Sequence, residues 1–129
     1  MIKITVPGYH ENRPLLLKHL VLDYNGTLAC DGQILSGVKE TLSSLAHNID
    51  IHVLTADTFG NVARQLKDLP CQLSVLAPEH QDRAKLDYVK GLGGEYTVSI
   101  GNGRNDQLML KESALGIAVI QEEGAAWET

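Results

Sequence analysis

The segment LVLDYNGTLAC, residues 20–30, begins as an apolar run and stops at Asp23, with Asn25, Gly26 and Thr27 just beyond. A carboxylate that ends a buried-looking strand opens an ordinary turn, because Asn-Gly favours positive backbone angles, or is a nucleophile displayed at the carboxyl edge of a parallel sheet. Two later segments end in a similar way. DIHVLT stops at Thr55, and YTVSI runs into Gly101 and Asn102, with Asp106 four residues further on. Lys85 lies on a helical stretch between them. Singly these are weak signals: a lone threonine more often caps, and a lone lysine is most often solvated. Ligand sites in open α/β sheets lie outside the carboxyl ends of the strands, so their joint appearance at three such ends argues for a site.

The elements that must position these residues follow from periodicity. Ile2–Val6 alternates and reads as a short edge strand ended by Pro7-Gly8. His19–Asp23 is a short apolar strand. Ser36 is the expected N-cap of a helix whose face carries Val38, Leu42, Leu45 and Ala46. Asp50–Thr55 is the next strand, and Thr58–Leu69 a helix stopped by Pro70. Cys71–Leu76 is a strand, and Pro78 leads into a helix through Leu92, which Gly91, Gly93 and Gly94 terminate. Tyr96–Ile100 is a strand, Asn105–Ser113 a short helix and Leu115–Ile120 a last strand. Strands alternating with helices of this length predict an α/β fold: a Rossmann-like three-layer sandwich around a mainly parallel central sheet. The 129 residues form a single domain, with no repeat, linker or low-complexity stretch.

Composition narrows the partners. A net charge of -5 disfavours nucleic acid and anionic membrane, which need basic patches. No apolar stretch approaches the roughly 20 residues of a bilayer span, and the amino terminus has no charged-then-apolar signal architecture. The two cysteines, Cys30 and Cys71, lack metal-type spacing, so a reduced, cytoplasmic protein is expected. His10, His19, His47, His52 and His80 show no ligand spacing and read as structural or surface residues.

Taken in order, these pieces resemble the motifs of the haloacid dehalogenase (HAD) superfamily. LDYNGTLA is similar to its nucleophile motif, VLTADT to its second motif, and Lys85 in AKLDYVKGLGG to its third-motif lysine. IGNGRNDQLML resembles the acidic fourth motif in its glycine-rich, P-type-ATPase form. The resemblance covers residues 20–120 and points most closely to small, soluble, capless proteins akin to the P-type ATPase phosphorylation domain.

What it implies is phosphoryl transfer. Asp23 would attack phosphorus and form an aspartyl-phosphate, dividing one hard displacement into two easier ones. Mg²⁺ would be held by Asp23, Asn25, Asn102 and Asp106, all offering hard oxygens. Gly26, Thr27, Thr55, Ala56 and Lys85 would bind the phosphate, with Lys85 also keeping Asp23 ionised. Asp23, Asn25, Thr55 and Lys85 would form the catalytic set.

Two positions depart from the pattern. Phosphatases of the superfamily usually carry an aspartate two residues after the nucleophile as general acid and base. Here Asn25 stands there, and its amide cannot protonate an alkoxide; such help is worth about 10²–10⁴-fold. Asn102 replaces the aspartate that usually opens the fourth motif, which removes one negative charge from the metal site.

Only a short flap fits between Thr27 and Ser36, so no cap domain is expected. The substrate is then macromolecular, or a neighbouring subunit of a homo-oligomer supplies the lid. The resemblance also implies a further strand and helix beyond Thr129. The expected activity is an Mg²⁺-dependent phosphohydrolase preferring good leaving groups. Its rival is a phosphate- or phosphoprotein-binding regulator with little turnover. A response-regulator receiver is disfavoured, because receivers phosphorylate an aspartate after a later strand than the first.

Overall fold

The computed structural model describes residues 1–5, 7, 14–30, 33–56 and 60–120. Its centre is β3 (His19–Asp23), whose three middle residues are all buried. β6 (Asp50–Thr55) and β7 (Gln72–Val75) lie to one side of it, β8 (Thr97–Gly101) and β9 (Leu115–Ala118) to the other. The order β7-β6-β3-β8-β9 is parallel throughout. The chain builds outward from β3 through β6 to β7, then returns across β3 to place β8. That reversal puts a topological switch point at the carboxyl end of β3, where such sheets leave a crevice.

The connecting helices divide between the faces. Leu42 of α1 (Val38–Leu45) and Val62 of α2 (Asn61–Gln65) pack in one cluster with Leu20, Leu22, Ile51 and Val53. Val89 of α3 (Gln81–Leu92) and Met109 of α4 (Gln107–Glu112) pack on the other face against Val21 and Leu54. Successive strand side chains point to opposite faces, so β3 sends Leu20 and Leu22 to the first face and His19, Val21 and Asp23 to the second.

Several expected elements shift. The strand at Ile2–Val6 is β1 (Ile2–Ile4); it pairs antiparallel with β2 (Leu15–Leu17) in a separate two-stranded sheet rather than at an edge of the central one. Residue 6 is outside the described residues, as are 8–13 with His10. The helix N-cap is Gly37, in the left-handed region at φ 84° and without a side-chain capping bond, not Ser36. α2 is a short helix, and Leu66–Leu69 close it as turns; residues 57–59 lie outside the described residues. Gly91 continues α3, and Gly93, at φ 98°, ends it. The expected Asn105–Ser113 helix begins as a 3₁₀ turn, Arg104–Asp106, before α4. The flap region holds a small antiparallel pair, β4 (Ala29–Cys30) with β5 (Gln33–Ile34). Among the described residues no helix is long and apolar enough to cross a membrane. Residues 121–129 lie outside the described residues.

Candidate active site

Strand register brings the chemistry together. Asp23 ends β3 opposite Leu54, one residue short of Thr55, and Leu22 pairs with Ile100, one residue short of Gly101. A cavity of about 550 Å³ opens over these strand ends, and Asp23, Asn25, Thr55, Ala56, Asn102 and Gly103 line it.

Beneath the cavity lies a buried cation. Lys85, on the second turn of α3, is 1% exposed and donates to Asp23 Oδ1 at 2.9 Å, Asp106 Oδ1 at 2.7 Å and Asn105 Oδ1 at 3.1 Å. An ammonium has three N–H donors and no acceptor, so these contacts match its whole capacity. Burial alone would lower the Lys85 pKa, but the two carboxylates outweigh it and the net shift is upward. Lys85 is therefore a permanent charge.

Asp106 was expected to bind metal. In the structure its side chain is fully buried, and its second oxygen accepts the backbone N–H groups of Asn102 (3.0 Å) and Gly103 (2.9 Å). With Oδ1 on Lys85, both oxygens face the protein, and Asp106 does not line the cavity. Its geometry is that of a residue holding the lysine and shaping the loop. The glycine before Asn102 has a steric reason: a Cβ on Gly101 would lie 2.5 Å from Asp106 Cγ.

The loop after β3 closes on the same structure. Gly26 sits at φ 82°, and a Cβ there would meet the Asn102 side-chain amide at 2.1 Å. A side chain at 26 would therefore push the two loops apart. Gly26 N–H donates to Ala29 O, and the Thr27, Leu28 and Ala29 amides return to the Tyr24 carbonyl. This tight turn satisfies the backbone and leaves Asn25 exposed at the cavity wall. Thr27 is buried within it. The turn and the displayed carboxylate are thus two aspects of one arrangement.

Asp23 itself is raised from 3.8 to about 6, chiefly by burial and further by the nearby Asp106, against the lowering pull of Lys85. With both carboxylates ionised, the Asp23–Lys85–Asp106 group carries one excess negative charge beneath the cavity. A divalent cation would offset it. Among the described residues no cluster of three or more His, Cys, Asp or Glu side chains forms a ligand set. The oxygens that fit a hard cation are Asp23, the amide of Asn102 and the carbonyl groups of Asn25, all cavity-lining residues. That set has one carboxylate where Asp106 had been expected to supply a second.

Two contributors were missed in the sequence, Asn105 and Gln81. Asn105 bonds Lys85 with its amide oxygen and Gln81 Oε1 with its Nδ2 (3.2 Å), and both residues line the cavity. The available signal was spacing, because Gln81 and Lys85 stand four apart on one helix face.

No protein-family model matches the chain. An uncharacterized protein of Methanocaldococcus jannaschii is 51% identical over 39 residues, 30% of this chain and 89% of that protein. A Streptomyces avermitilis chain ascribed to the HAD family of hydrolases superposes with a TM-score of 0.64 at 18% identity, covering 79% of this chain and 66% of that one. This chain therefore spans slightly less than two thirds of that structure. The 3-deoxy-D-manno-octulosonate 8-phosphate phosphatase of Moraxella catarrhalis, solved with magnesium, phosphate and its sugar, superposes with a TM-score of 0.66 at 21% identity. That match covers 87% of this chain and 71% of the phosphatase.

Proposed function

Because the chain has the fold of the haloacid dehalogenase superfamily, we propose that it is an Mg²⁺-dependent phosphohydrolase working through a phosphorylated Asp23. The observation that carries this reading is Lys85, buried between Asp23 and Asp106 under a cavity that Asp23 lines. Taking a lysine and two carboxylates out of water costs free energy that packed apolar residues would not, which supports a use for the charge. Here the Lys85 ammonium stands where a phosphoryl group's negative charge would arrive.

In the first step an Asp23 oxygen attacks phosphorus, the bond to the leaving oxygen breaks, and that oxygen departs with the bonding pair. In the second, water attacks the phosphorus of phospho-Asp23, loses a proton to solvent and returns the carboxylate. Lys85 offsets charge in both steps, and the hydroxyl and backbone of Thr55 and Ala56 line the side of the cavity where phosphoryl oxygens would sit. Mg²⁺, held by Asp23, Asn25 and Asn102, would neutralise further phosphoryl charge. Asn25 offers no proton to the leaving group, so the substrates that suit this site leave as stable anions, as acyl phosphates do. The cavity mouth at Asn25 is open among the described residues, which supports a macromolecular substrate or a lid from a second copy.

Phosphate release from acyl phosphates, nucleotides and alkyl monoesters, measured with Mg²⁺ and with Asp23→Asn as the blank, tests the proposal. The variant should fall to background, and beryllium fluoride should occupy Asp23 in the parent. Turnover surviving in Asp23→Asn overturns the covalent route. The second reading, a phosphate-binding regulator, is favoured by the carboxamides of Asn25 and Asn102 at the cavity; analogue binding without turnover would establish it.

A further inference from the structure

Lys85 has two anionic acceptors and one neutral one, Asn105. Which end of the Asn105 amide faces the ammonium decides whether that contact attracts or repels. Nothing in Asn105 itself sets this, since its oxygen and nitrogen are nearly isosteric. Gln81 does. Its Nε2 donates to the Pro78 carbonyl at 3.3 Å, which a reversed Gln81 amide could not satisfy. Oε1 is thereby left facing Asn105, where it accepts from Nδ2 at 3.2 Å. That leaves Asn105 Oδ1 toward Lys85, at 3.1 Å. The order Pro78–Gln81–Asn105–Lys85 runs from the loop before α3 back to the cation one turn along the same helix.

We infer that Gln81 is a positioning residue of this site, acting through Asn105 to hold the Lys85 ammonium against Asp23. This rests on the phosphohydrolase reading for its catalytic consequence, but not for its geometry. Without Gln81 the Asn105 NH₂ loses its anchor, and the side chain can swing its oxygen away from the ammonium. Lys85 would lose its third acceptor, and its position relative to Asp23 would loosen while the charge remained.

The test is a double-mutant cycle with acyl-phosphate turnover in Mg²⁺, joined to NMR of the Asn105 side-chain amide. Gln81→Leu should lower kcat about tenfold with KM nearly unchanged. Gln81→Glu, which keeps an acceptor for Asn105 Nδ2, should recover most of it. In an Asn105→Ala background Gln81→Leu should add nothing, because residues acting as one unit are non-additive. Hydrogen exchange of the Asn105 NH₂ should speed up in Gln81→Leu and stay slow in Gln81→Glu, whether or not the protein turns over. Additive effects, or exchange that Gln81→Leu leaves unchanged, would overturn the inference. Altered exchange in a parent without turnover would instead support the positioning and overturn the phosphohydrolase reading.

Discussion

The two faces of the central sheet are built on different principles. Under α1 and α2 the strands present Leu20, Leu22, Ile51, Val53 and Val98, all buried in one large apolar cluster. Under α3 and α4 the same strands present His19, Asp23, His52, Thr97 and Ser99, and only Val21 and Leu54 join Val89 and Met109 in an apolar plug. Polar networks flank the plug on that second face. Toward the carboxyl ends lies the Lys85 group. Away from them, Ser74 Oγ donates to Tyr88 OH (3.5 Å), Tyr88 OH meets His52 Nδ1 (2.9 Å), and His52 Nε2 meets His19 Nδ1 (3.1 Å). Buried polar groups stabilise little net, yet cost much when a partner is lost. One face therefore supplies most of the burial, while the other holds groups whose ionisation can change.

Substituting one residue on each face should expose this difference most strongly. Lys85→Met leaves Asp23 and Asp106 buried without their cation, a loss of about 3–5 kcal/mol. Leu22→Ala should cost a similar amount, about 2–5 kcal/mol, through lost burial and a residual cavity. The pH dependence separates them. Acid protonates the two stranded carboxylates, so the Lys85→Met deficit should shrink as pH falls, whereas the Leu22→Ala deficit should stay constant. Chemical denaturation of both variants across pH 4–8 (roughly the range in which carboxylates raised by burial titrate) measures this. Parallel deficits would mean that the second face is not governed by charge.

Within the site, the next largest effect belongs to Asn25. If the cavity lacks only a proton donor, Asn25→Asp should raise alkyl-phosphate turnover about 10²-fold while changing acyl-phosphate attack far less. Single-turnover phosphorylation, followed separately from dephosphorylation, distinguishes a new acid from faster attack of water on phospho-Asp23. Background alkyl turnover in a folded, metal-binding variant would favour the regulatory reading.

How much of this was legible in the sequence also divides by face. β3 and β6 ended where the apolar runs met Asp23 and Thr55, because a parallel central strand is apolar until it leaves the core. The order of the site residues was equally plain. What spacing does not reveal is the direction of a side chain. Asp106 turns inward to Lys85 and the loop amides, and its clue is Gly101, the residue whose missing Cβ leaves room for the carboxylate. Leu15–Leu17 gave no alternation to read as β2, and the Gly37 cap turns on backbone conformation rather than on a side-chain donor. His19 and His52 read as structural or surface residues, and their hydrogen-bonded chain joins β3, β6, β7 and α3, a long-range arrangement that no local pattern encodes.

That chain yields the smallest expected effect and the finest test of the comparison. If Tyr88 accepts from Ser74, its own proton goes to His52 Nδ1, and neutral His52 carries its hydrogen on Nε2, directed at His19. Protonating His52 places a second hydrogen against the Tyr88 donor. Burial first, and then the neighbouring His19, push its pKa below the ordinary 6.5, with Asp50 opposing. A histidine with a depressed folded pKa contributes stability that is fully present above its unfolded value and is lost as pH falls through the folded one. Asp23 has the opposite sign: raised to about 6, it contributes stability below its ordinary 3.8 that is lost as pH rises through 6. Relative to the parent, His52→Gln should therefore gain stability as pH falls below 6.5, and Asp23→Asn should lose it. Thermal or denaturant unfolding at half-unit pH steps compares the three proteins. If both substitutions shift the curve in the same direction, the two networks are not independent, and the apolar plug of Val21, Leu54, Val89 and Met109 does not insulate them.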